Sequence, residues 1–124
     1  MQSVRVETLA FDRPGGEEGH PSRSRPVDLV HLARQTFGDR ALEAEILQLF
    51  ANQAASVRQS LRSAGAEDRK RLAHGIKGSA RGVGAFPLAD AAAVLELQPS
   101  STAQVRVVEE RIDEISDFIA SISR

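Results

Sequence analysis

The chain has 124 residues, 41% apolar and 27% charged, with 16 Lys and Arg against 17 Asp and Glu for a formal charge of −1. That length fits one ordinary globular domain, and a near-neutral chain would need a local basic patch for a nucleic-acid partner; none is expected, because Lys70, Lys77 and Arg81 are too few cations and have no aromatic platform. There is no cysteine, which excludes a disulfide framework and a thiolate metal site and suits a reducing cytoplasm.

Residues 1–26 form a compositional zone of their own, rich in Gly, Pro and Ser, as in Pro14-Gly15-Gly16 and Pro21-Ser22-Arg23-Ser24-Arg25-Pro26. This zone is expected to be a flexible N-terminal arm. Val4 to Leu9 alternates weakly and could form a short strand, but no partner strand is evident elsewhere. The first ten residues lack the apolar run of a secretory leader. No stretch approaches the roughly 20 apolar residues of a bilayer span, so no membrane partner is expected.

From Val27 the period becomes helical. Val27 to Phe37 predicts a short first helix stopped by Gly38. Asp39 is a good N-cap for a longer second helix to about Ala64, ended by Gly65. Its inner stripe is read as Leu42, Ile46, Leu49, Phe50, Ala54, Val57 and Leu61. Asp68 is expected to cap a third helix from Arg69 to about Val83. Pro87 marks the start of a fourth, running to Gln98 before Pro99. Ser100-Ser101-Thr102 supplies caps for the last, in which Val105, Val108, Ile112, Ile115, Ile119 and Ile122 keep the three-four spacing of a bundle seam. The fold class expected is all-α: an antiparallel four-helix bundle over residues 27–124, with a short extra N-terminal helix closing one end.

The third helix carries the chemistry. At roughly 100° per residue, Leu72, Ile76, Ser79, Ala80 and Val83 fall on one side, and His74 lies about 160° away, facing water. Lys70, Lys77, Gly78 and Arg81 share its face. An unperturbed imidazole is largely neutral at physiological pH and is then a competent nucleophile. The surrounding cations would stabilise a phosphoryl group carrying roughly two negative charges. Gly78, one turn away, removes a side chain that would crowd an approaching group. A glycine costs about 1 kcal/mol against alanine in an exposed helix, so helix stability alone would not choose Gly75, Gly78 and Gly82. Gly75 and Gly82 would let neighbouring helices approach closely.

Other residues have blander readings. Lys77 and Arg81 could be an ordinary solvated face, and Ser79 is expected to pack or bond back to a carbonyl. Glu96 is either a surface glutamate or a group that reaches across to pair with Lys77 or to orient the imidazole. His31 reads as a structural histidine and His20 as solvated. Together with His74 they have no metal-ligand spacing, so no metal site is expected. No glycine-rich phosphate loop follows a strand, so no nucleotide site is expected.

The run His74-Gly75-Ile76-Lys77-Gly78-Ser79, followed by Gly84, Leu88, Ala89, Ala92, Leu95 and Glu96, resembles the histidine-containing phosphotransfer (HPt) domain. Leu49-Phe50, Leu61-Arg62-Ser63-Ala64, Asp68 and Leu72-Ala73 extend the likeness upstream, over about residues 27–123. The resemblance implies a four-helix bundle whose exposed histidine, at the place of His74, accepts a phosphoryl group, usually through Nε2. It implies that Lys77 helps to hold that group and that Gly78 leaves room for a partner. The implied partners are response-regulator receiver domains and a hybrid histidine kinase. The chain would be a phosphocarrier rather than an enzyme, with no cofactor of its own and Mg2+ on the receiver. Lys70, Arg81 and Glu96 are further candidates for contact with the phosphate or the partner. Alternatives are an input domain phosphorylated directly by a histidine kinase, or a helical adaptor whose His74 is incidental. Gly75 stands where the family is usually bulkier, the segment just after Glu96 lacks the basic residue many members carry, and Pro99 cuts that helix short; these departures bear on partner affinity more than on chemistry.

Overall fold

A computed structural model describes residues 25–123. Residues 1–24, with the candidate strand and His20, lie outside the described residues. Five helices follow in order: α1 Leu29–Gln35, α2 Arg40–Leu61, α3 Ala66–Val83, α4 Phe86–Leu97 and α5 Thr102–Ile122. There is no strand among the described residues.

The four longer helices form a ring in which each packs on its chain neighbours and α5 closes on α2. Arg58 binds Asp113 in bidentate fashion at 2.7 and 2.8 Å, and Arg62 binds Glu109 at 2.9 and 3.0 Å. Residue numbers rise along α2 as they fall along α5, so the two run antiparallel. Glu109 is only 3% exposed, and a buried carboxylate is tolerable only when paired and hydrogen-bonded. Inside the ring, Leu61, Ile76, Leu88, Leu95, Ile112 and Ile115 are almost wholly buried. Each contributes roughly 1.5–3 kcal/mol relative to an exposed position.

The seam on α5 appears as expected from Val105 to Ile119, while Ile122, in the last turn, is 43% exposed. On α2 the expected stripe needs correction. Leu47 is buried, whereas Leu49 is 63% and Leu42 40% exposed. The segment Leu42 to Phe50 holds more apolar residues than one stripe can take, and packing against the neighbouring helices selects among them.

Helix limits also differ in instructive ways. The first helix is shorter than Val27 to Phe37 because Asp28 is its N-cap, its carboxylate accepting from the N–H groups of Val30 and His31. α2 ends at Leu61 rather than near Ala64. α3 begins at Ala66 with Gly65 as its N-cap, so Asp68 is not a cap but lies in the first turn beside Glu67. Carboxylates there are favoured by the helix dipole. The earlier start places Arg69 inside the helix, where its guanidinium donates to the carbonyls of Leu61, Arg62 and Pro99 at 2.8–3.3 Å. A side chain of α3 thereby caps the end of α2 and ties it to the loop before α5.

The turn from α3 to α4 is the tightest. Gly84 ends α3 at φ +90°, a left-handed conformation that glycine adopts without steric cost. Both Gly84 and Ala85 donate to the Ala80 carbonyl. The Gly84 carbonyl accepts from Asp28, and His31 Nε2–H donates to the Gly82 carbonyl at 3.1 Å while its ring meets Phe86 edge-on at 5.3 Å. His31 is structural, as expected: it docks α1 on this corner.

Candidate functional site

The corner at Gly84 and Ala85 determines what faces His74. His74 lies ten residues before Gly84, and Glu96 eleven after Ala85. At 1.5 Å rise per residue both stand about 15–16 Å up two antiparallel helices, at nearly the same height. His74 Nδ1–H donates to Glu96 Oε2 at 2.8 Å, and Lys77 Nζ donates to Glu96 Oε1 at 2.6 Å. One carboxylate thus holds both groups, and Glu96 performs the two roles that its position in the sequence left open.

Burial differs sharply within this triad. The side chains of Lys77 and Glu96 are each 19% exposed, whereas that of His74 is 71% exposed. His74 therefore projects into solvent while its inner nitrogen is anchored. The bond from Lys77, and after it the bond from His74, hold the Glu96 carboxyl below the usual glutamate range. An ionised carboxylate can only accept, so the proton of this bond sits on Nδ1. In the neutral ring Nε2 then carries the free lone pair and points outward. The arrangement is an exposed imidazole whose tautomer is selected from behind.

The sign of the pH effect follows. A carboxyl depressed in the folded state contributes stability that is complete above its ordinary value of 4.5 and is lost as pH falls through the folded value. The anchor is therefore intact at neutral pH and released only in acid. We expect the Glu96 carboxyl carbon to titrate below 4.5 in NMR spectra, and Lys77→Ala, which removes the larger cause, to move that titration upward.

The remaining candidates are distributed around the ring. An open cavity of about 290 Å³ beside His74 is lined by Glu67, Lys70, Arg71, His74 and Glu96. Lys70 is thus brought to the site, whereas Gly78 and Arg81 do not line this cavity. Glu67 and Arg71 were missed by sequence reasoning. The available signal was their position seven and three residues before His74, because helix side chains lean toward the N-terminus of their helix.

Gly75, Gly78 and Gly82 are all exposed, and a Cβ built at any of them meets nothing within 4 Å. This corrects the reading of Gly75 and Gly82 as points of close helix approach, and it leaves an open flank beside the histidine. Ala73 faces inward at 1% exposure. Ser79 is half-buried, as its inner position implied. Among the described residues no group of three or more His, Asp or Glu side chains is disposed to hold a metal ion. None of the described helices is long and apolar enough to cross a membrane.

A protein-family model described as Hpt domain matches residues 45–123. The match takes in most of α2 and all of α3, α4 and α5. It is narrower than the 27–123 suggested by the sequence motifs, and it leaves α1 outside. Comparison with curated proteins and with solved structures gives no match.

Proposed function

The chain belongs to the Hpt domain family, a phosphotransfer module of two-component signalling, and from that premise we propose that it relays a phosphoryl group between receiver-domain aspartates through His74. The observation that carries this reading is the anchored ring: Nδ1 is bound to Glu96 at 2.8 Å while the side chain is 71% exposed.

The step follows from that geometry. The Nε2 lone pair attacks the phosphorus of an aspartyl phosphate, a P–N bond forms, and the P–O bond to the carboxylate breaks as the aspartate leaves with the electron pair. The proton stays on Nδ1, so the phosphorylated ring is cationic and is stabilised by the Glu96 carboxylate beside it. Because the ring remains a good leaving group, a second receiver can take the phosphoryl group in the reverse sense. In-line transfer needs charge stabilisation that this helix supplies only in part; Mg2+ held by the receiver supplies the rest.

Docking uses the open flank formed by Gly75, Gly78 and Gly82. No packing within the domain requires these glycines, and each weakens an exposed helix by about 1 kcal/mol relative to alanine. Access for a partner accounts for them. Lys77 acts from behind as a positioning residue for Glu96. Arg81 lies two turns beyond the ring, on the side from which a partner approaches.

The test is to mix the purified chain with a receiver domain carrying labelled aspartyl phosphate and, separately, with a histidine kinase core and labelled ATP. Rapid transfer from the receiver, giving an acid-labile and base-stable label, is expected. Labelling by the kinase core alone would favour a directly phosphorylated input domain, and no label from either donor would favour an adaptor.

A further inference from the structure

The cations around His74 are not equivalent. Lys77 is committed to Glu96 at 2.6 Å, on the inner side of the ring where Nδ1 is bound. Arg71 is paired with Asp68. Arg81 stands two turns toward the C-terminus and is not part of the cavity beside the ring. Lys70, one turn toward the N-terminus, lines that cavity and makes no hydrogen bond or ion pair among the described residues.

Side chains on a helix tilt toward its N-terminus, and residues four apart have Cβ atoms about 5–6 Å from each other. In keeping with that tilt, the cavity beside the ring is shared with Lys70 and Glu67 and is lined by neither Lys77 nor Gly78. A phosphoryl group on Nε2 would stand above the cavity that Lys70 shares with the ring. We infer that Lys70, rather than Lys77, is the cation that meets the phosphoryl group on His74, and that Glu67, in the same cavity, opposes it. This rests on His74 as phosphoacceptor and deepens that reading by assigning the charges around it. Two opposed charges beside a dianion keep the phosphoryl group from being trapped, as a relay that must both accept and release requires.

Phosphoramidate provides a test that needs no protein partner. Its P–N bond breaks as ammonia leaves with the electron pair, while the new bond forms to Nε2. At low salt, Lys70→Ala is expected to slow labelling about two- to fivefold, the size of effect an exposed ion pair delivers, and Lys70→Arg to preserve it. Glu67→Gln is expected to speed labelling. Both differences shrink at 1 M salt, where the screening length is about 3 Å; a purely structural role would not show that dependence. The inference is overturned if Lys70→Ala labels at the wild-type rate, if Lys77→Ala alone shows the salt-screened loss, or if the wild type takes no label. A chain labelled by phosphoramidate in this Lys70-dependent way but by no receiver would refute the relay and leave this inference standing.

Discussion

His74→Gln is expected to take up no phosphoryl group from any donor, yet to melt within about 2–4 °C of the wild type. Glutamine can still donate to Glu96 through its amide, so the back of the site keeps a partner, but an amide nitrogen has no available lone pair to attack phosphorus. The side chain it replaces is 71% exposed and touches no core residue through a hydrogen bond. Surface substitutions of this kind usually stay within about 0.5 kcal/mol, and about 4–8 °C corresponds to 1 kcal/mol in a domain of 60–100 residues. Label retained by this variant would place the acceptor elsewhere. A large drop in melting temperature would mean that the ring is structural.

Gly84→Ala has the second large effect, this time on folding. At φ +90° an alanine is strained, and its Cβ would lie 2.9 Å from the Asp28 carbonyl oxygen and 3.2 Å from the His31 ring. The left-handed conformation costs about 1–2 kcal/mol, and the backbone oxygen can move away only by undocking α1. A total of about 2–4 kcal/mol is expected, lowering the melting temperature by roughly 10 °C or more. Gly78→Ala should move the opposite way by up to about 1 kcal/mol, because its Cβ enters open space in a helix. Thermal unfolding of the two variants side by side checks the contrast. Equal effects would contradict the distinction between a glycine required by the turn and one left bare on the surface.

Much of this was legible in the amino-acid order. Asp39, Pro87, Pro99 and Ser101 mark helix limits through local chemistry, and the isoleucines of α5 repeat cleanly enough to identify their seam. The exposure of His74 followed from period alone. What was not legible depended on contacts distant in the chain. Asp68 is as good a cap by type as Gly65 by place, and the guanidinium of Arg69 on the carbonyls of Leu61 and Arg62 goes with the earlier start. Leu47 and Leu49 are equally apolar, and only neighbouring helices distinguish them. The role of Glu96 required the length of the α3–α4 corner, since one residue more or fewer at Gly84 and Ala85 would carry its carboxylate past the imidazole. The bare surroundings of Gly75 and Gly82 likewise appear only once the helices are in place.

The most direct measurement is the identity of the phosphorylated nitrogen. Transfer from a phosphorylated receiver to 15N-histidine-labelled protein, followed by long-range 1H–15N and 31P spectra, is expected to show phosphorus on Nε2 of His74 with the proton retained on Nδ1. Phosphorus on Nδ1, or an unmodified His74 ring after exposure to phosphorylated receivers, would contradict the account, because Glu96 would then not be holding the ring for transfer.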